Sequence, residues 1–108
     1  AHHVHLNTST VDCKPRSLKV SWSDDGCLLH WKAPKGKGWE NEAYKYVVYR
    51  FGPDEEIDLD NPTKIVAITY QPAIRLNYNG GETKYTYVVT ALDRMSNESV
   101  GKKKKIRL

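Results

Sequence analysis

The run Tyr85-Thr86-Tyr87-Val88-Val89-Thr90-Ala91 constrains the fold more than any other segment. Tyr85, Tyr87, Val89 and Ala91 alternate with Thr86, Val88 and Thr90, the two-residue period of a strand built from aromatic and β-branched side chains. The same period governs Leu18, Val20 and Trp22. It returns in Cys27, Leu29 and Trp31 after Ser23-Asp24-Asp25-Gly26, which reads as a hairpin turn. In that hairpin Trp22 faces Cys27.

Further strands follow between turn signals. Ala33-Pro34 ends the second strand, because proline has no amide to give a ladder. Tyr44 to Phe51 is the third, with Tyr46 and Val48 on one face and Val47 and Tyr49 on the other. Gly52-Pro53 stops it, and the acidic stretch 54–62 is a long loop closed by Asn61-Pro62. Ile65 to Thr69 and Ala73 to Leu76 flank Gln71-Pro72, and Asn79-Gly80-Gly81 is a turn. Val100 to Leu108 is the last, lysine-rich strand. No segment has a convincing helical period. The expected fold is all-β: a seven-stranded antiparallel two-sheet sandwich, with Leu18, Leu29, Trp31, Tyr46, Val48, Leu76, Tyr87 and Val89 in its core.

A length of 108 residues with 39% hydrophobic side chains suits one domain. No apolar run approaches the ~20 residues of a membrane helix, so no membrane span is expected. Residues 1–14 are polar, carry His2, His3 and His5, and read as a linker or the tail of an upstream domain; residues 15–108 form the domain. Met95 is the sole methionine, so Ala1 is expected to be a cut in something longer. The net charge of +4 is unevenly placed: Asp54, Glu55, Glu56, Asp58 and Asp60 cluster, as do Lys102 to Lys105. Without the lysine run the balance is nearly neutral, and nucleic acid is not an expected partner. Cys13 and Cys27 lie far apart along the first hairpin, and both are expected to be free thiols.

Four features together resemble a fibronectin type III domain: Leu29-x-Trp31 before Pro34; Tyr46-x-Val48 with Arg50; Tyr85-x-Tyr87-x-Val89-x-Ala91; and the turn Asp93-Arg94-Met95-Ser96-Asn97-Glu98-Ser99. A narrower resemblance joins Tyr46 to Phe51, Ile57 to Asp60, Ile65 to Thr69 and Tyr85 to Asp93 to the C-terminal module of secreted bacterial family-10-like glycosyl-hydrolase-like proteins. That resemblance implies a non-catalytic accessory or spacer module, with catalysis in an upstream domain that is its partner. It implies an extracytoplasmic setting and a role in carbohydrate metabolism. No Arg-Gly-Asp tripeptide is present, so integrin binding has no support. The placing of Tyr85 resembles the corner tyrosine of such domains, whose hydroxyl is expected to bond the Asn79 to Glu82 turn.

The chemistry-bearing residues do not converge in the sequence. His30 neighbours Trp31 and points away from the core, and neither a Gly-x-Ser-x-Gly elbow nor a Ser-His-Asp grouping accompanies it. Asp58-x-Asp60 lacks the glycine and closing glutamate of a calcium loop. Gly36-Lys37-Gly38 lacks Walker spacing. His2, His3 and His5 lack a fourth ligand, so no metal or cofactor is expected. Glu40 and Glu42 beside Trp39 are the one pair worth testing against the 5–9.5 Å separation of glycosidase carboxylates. Lysines 102 to 105 are expected to guard a sheet edge. Trp22 and Tyr49 are expected to cover the sheet. Trp39, Tyr44 and Tyr78 are the candidate contacts for a docked domain or, in an alternative carbohydrate-binding reading, a polysaccharide. Trp31, Tyr46 and Tyr85 are structural, and a monomer is expected.

Overall fold

The computed structural model describes residues 15–24, 26–33, 45–92, 98–99 and 101–108. Within them lie seven strands: β1 Arg16–Ser23, β2 Gly26–Lys32, β3 Lys45–Phe51, β4 Ile65–Thr69, β5 Ala73–Asn77, β6 Lys84–Leu92 and β7 Lys102–Arg107. They form two antiparallel sheets, one ordered β1-β2-β5 and the other β4-β3-β6-β7. Among the described residues the fold is an all-β sandwich of two antiparallel sheets. One 3-10 turn, Pro62–Lys64, precedes β4; Asn61 caps it by accepting the Thr63 amide at 3.0 Å, and Pro62 supplies the fixed φ of a first helical position.

Period two places the core. In β2, Cys27, Leu29 and Trp31 are buried, and in β3 and β6 Tyr46, Val48, Tyr87, Val89 and Ala91 meet them across the interface. Leu76, Ile106 and Leu108 join the same cluster, with Leu18 partly buried against it. Trp31 and Tyr46 pack edge to face with centroids 5.4 Å apart, the favoured quadrupolar arrangement. The Trp31 indole N–H is buried without a hydrogen-bond partner among the described residues. Gly26 is fixed by a close approach of β5, because a Cβ there would collide with the Leu76 carbonyl oxygen. The first hairpin pairs Trp22 with Cys27, and Cys27 is a buried free thiol; Cys13 lies outside the described residues.

Three expectations change. Trp22 does not cover the sheet: it is 55% exposed, because it lies near the end of an edge strand at the hairpin, where the ring of Tyr78 meets it only edge-on. The last strand spans Lys102–Arg107 instead of 100–108. The Tyr85 hydroxyl makes no bond to the Asn79 to Glu82 turn among the described residues. The Leu108 carbonyl accepts the amides of Asn79 (2.6 Å) and Gly81 (2.9 Å) instead, and so anchors the turn itself.

The four-stranded sheet also has an apolar outward face. Val47, Tyr49, Phe51 and Val88 are buried there, with Leu59, Ile65 and Leu92 against them. The 52–64 connection supplies Leu59. The chain returning after β6 bridges Glu98 to Leu92 and bonds the Ser99 amide to the Ala91 carbonyl at 2.9 Å.

Candidate functional site

The antiparallel strands create two poles. At one lie the end of β5 and the start of β6, with the 78–83 connection tied to Leu108. Tyr78 follows β5 there and is 50% exposed; its ring meets that of Trp22 at 6.2 Å and 85°. Tyr78 also lies over Gly81, where a Cβ would come within 2.6 Å of its hydroxyl oxygen and where φ is +75°. The perpendicular rings of Trp22 and Tyr78 cannot both stack on one flat sugar ring.

At the opposite pole β1 begins, β2 ends and β3 begins. Tyr70 is exposed there with the Lys45 ammonium 5.8 Å from its ring centroid. Tyr44 precedes Lys45, yet Tyr44, Trp39, Glu40 and Glu42 lie outside the described residues, as do His2, His3 and His5. Tyr78 therefore sits at the pole opposite the start of β3. Trp31 and Tyr46 are buried in the core. Tyr85 is half-buried against the core, with the Arg50 guanidinium 4.8 Å from its ring centroid and Tyr87 edge-on at 6.2 Å.

Titratable groups occupy separate places. On the three-stranded sheet, the Ser21 hydroxyl and His30 Nε2 are 2.9 Å apart, and His30 points outward from the core as alternation requires. In the 52–64 connection, Glu55 accepts the Gly52 amide at 2.6 Å and pairs with Lys64, and these contacts hold its carboxyl below the usual range. The Asp58 carboxylate accepts the Asp60 amide at 3.0 Å, a local loop turn. No group of three metal-ligating side chains gathers among the described residues.

Under the outward face the Tyr49 hydroxyl donates to Glu98 Oε2 at 2.5 Å, and Thr90 Oγ1 donates to the same oxygen at 2.6 Å. Burial first, then the bond to Glu98 and its charge, push the Tyr49 hydroxyl well above the ordinary tyrosine range. This cluster was not legible as a site. Its signal was Thr90, a hydroxyl in the most regular strand that turns out fully buried and so needs a partner.

A groove of about 450 Å³ opens between the start of the 52–64 connection and β7, lined by Gly52, Pro53, Glu55, Ile57 and Thr86 together with Lys103, Lys104 and Lys105. It brings the acidic stretch and the lysine run to one surface. β7 is an edge strand, as the lysines suggested. No described helix is long and apolar enough to cross a membrane.

No known sequence family matches the chain, and no curated protein does. Solved structures match its fold. One, described as titin kinase and its flanking domains, superposes with a TM-score of 0.62 at 24% identity, over 86% of this chain and 16% of that one. The chain thus spans about a sixth of that neighbour, and the likeness establishes an immunoglobulin-like sandwich.

Proposed function

We propose that residues 15–108 form a fibronectin type III-like module that spaces and braces a neighbouring domain of a longer chain and performs no catalysis itself. The observation that carries this reading is the path of the chain. With seven strands, it enters at one pole and leaves at the other, and both points are fastened to the body. Pro15 is fully buried at the entry. At the exit Leu108 is 5% exposed, accepts two amides and donates its own to the Thr83 carbonyl at 3.0 Å. Spanning poles roughly 25 Å apart on strands of about 3.3 Å per residue, such a body would hold a segment attached at either pole at a fixed distance and orientation.

The finer assignment to the type III kind draws on β4 pairing with β3, which differs from the constant-type immunoglobulin division of strands. The sandwich beside an enzyme has a parallel in the matched chain, whose description couples a kinase with flanking domains. The neighbour proposed here is the glycosyl-hydrolase-like domain of the sequence resemblance, in an extracytoplasmic setting. The described titratable groups, on separate surfaces, suit a module without chemistry of its own.

Thermal unfolding of the longer chain with and without residues 15–108 tests bracing. The neighbouring domain is expected to melt at a lower temperature when the module is removed. An unchanged melt, or an upstream reading frame with no hydrolase-like domain, overturns the reading. Calorimetry of the 108-residue chain against neutral and acidic glycans separates the alternative: binding that Trp22→Ala or Trp39→Ala removes means the aromatics serve a polysaccharide.

A further inference from the structure

The groove beside β7 has a charge arrangement that nothing among the described residues uses. Thr86 pairs with Lys105 and Val88 with Lys103, so both lysines project on the outward face of the sheet, about 6.7 Å apart by strand geometry. Lys103, Lys104 and Lys105 are all exposed, and none of their side chains forms an ion pair or hydrogen bond among the described residues. Across the groove, Glu55 is occupied by Lys64 and the Gly52 amide. Its neighbours Asp54 and Glu56 are exposed and form no ion pair among the described residues. A positive row and a negative loop thus lie side by side, separated by a groove of about 450 Å³, and neither neutralises the other.

We propose that this surface binds a second copy of the chain about a two-fold axis, the acidic loop of each copy seated against the lysine-walled groove of the other. A two-fold rotation brings patch i onto patch j and j onto i, so adjacent patches of opposite sign are self-complementary under that operation. The same operation closes at two copies and leaves no free patch to extend. A second copy is the occupant because the charge complementary to the groove stands on the groove's own rim. Pro53 and Ile57, both exposed on the loop wall, give the contact a small apolar centre. The contact is small and charged, which makes it transient and sensitive to ionic strength. The inference is independent of the spacer reading, and each can fail alone.

Sedimentation velocity on the 108-residue chain tests it. At about 50 mM salt, where the Debye length still exceeds about 10 Å, the mean mass is expected to rise with concentration from 12.4 kDa toward twice that value. Raising salt to about 0.5 M screens the patches and is expected to return the monomer. The double variants Lys103→Glu with Lys105→Glu, and Asp54→Lys with Glu56→Lys, are each expected to stay monomeric. Mixed in equal amounts they restore opposite charges at both contacts, and the doubled mass is expected to return. Melting curves on each variant show that it is folded, and Lys103→Gln with Lys105→Gln substitutes for any variant that is not. A constant mass of 12.4 kDa overturns the proposal. So does association that survives salt or the lysine variants, association beyond two copies, or a mixture that fails to associate.

Discussion

The two faces of the four-stranded sheet carry similar side chains and solve different problems. Inward, Tyr46, Val48, Tyr87, Val89 and Ala91 meet a second sheet whose Leu29 and Trp31 present a matching apolar surface. Outward, Val47, Tyr49, Phe51 and Val88 have no sheet opposite, and they are buried by Leu59, Ile65, Leu92 and the chain returning through Glu98 and Ser99. A sheet covers a face with side chains whose backbone is already paired. A loop brings polar groups with it, and the outward face absorbs them through Tyr49, Thr90 and Glu98, and through the Ser99 hydroxyl 3.0 Å from the Ala91 amide. Strands in the middle of this sheet are therefore apolar on both sides, and only the inward side is a conventional sandwich core.

Hollowing each face in turn asks whether both behave as cores. Leu29→Ala, inward and 0% exposed, is expected to cost about 2–5 kcal/mol, and Phe51→Ala, outward and 1% exposed, about 3–5 kcal/mol. Urea unfolding measures both. If Phe51→Ala costs less than ~1 kcal/mol, well below the range for a buried phenylalanine, the loops collapse over the gap and the outward cluster is a covering, not a second core.

Alkaline unfolding distinguishes the two faces through their buried hydroxyls. Burial raises the hydroxyls of inward Tyr46 and Tyr87 above their ordinary value of 10.0, and outward Tyr49 is raised further by Glu98. A group raised in the folded state contributes stability that is fully present below its unfolded value and is lost as pH climbs toward its folded one. Stability from these three groups is therefore level through neutral pH and falls above about pH 10, where the unfolded chain releases protons that the folded chain retains. Tyrosinate absorbance is expected to show them ionising only with unfolding, and Tyr49→Phe is expected to flatten the fall more than Tyr46→Phe. Equal slopes in the two variants would mean that Glu98 adds nothing to the outward hydroxyl.

The inward face was legible because two-residue alternation reports which side chains share a face, and Leu29, Trp31, Tyr46, Val48, Leu76, Tyr87 and Val89 are all in the cluster that alternation selects. Alternation also separated Val47 and Tyr49 from Tyr46 and Val48, but period alone does not say what covers the second set. That depends on where the 52–64 connection and the segment after β6 lie, and their residues carry no period. Glu98 shows the limit: it sits in a run read as a turn, while its partners Tyr49 and Thr90 are far away in the chain or on another strand. The aromatic candidates divide similarly. Tyr78 lies in an exposed connection, while Trp22, expected to cover the sheet, is half exposed, because a strand position does not reveal that it lies at an edge.

The smallest expected effect bears on how the pole with Leu108 is held. A corner tyrosine fastens its turn through its hydroxyl, and Tyr85 stands where such a residue would. Here the turn is fastened by backbone: the Leu108 carbonyl holds the Asn79 and Gly81 amides, and Arg107 Nη1 reaches the Gly81 carbonyl at 3.3 Å. What remains for Tyr85 is its ring, packed on the core and under the Arg50 guanidinium. Tyr85→Phe keeps that ring and is expected to shift stability by less than about 0.5 kcal/mol, as for a substitution that breaks no buried bond. Tyr85→Ala removes packing and the cation–π contact together and is expected to cost about 1–3 kcal/mol. Urea midpoints of the two variants distinguish the roles. A large loss in Tyr85→Phe would restore the hydroxyl as the fastener, and a negligible one in both would leave Leu108 and Arg107 to hold the pole alone.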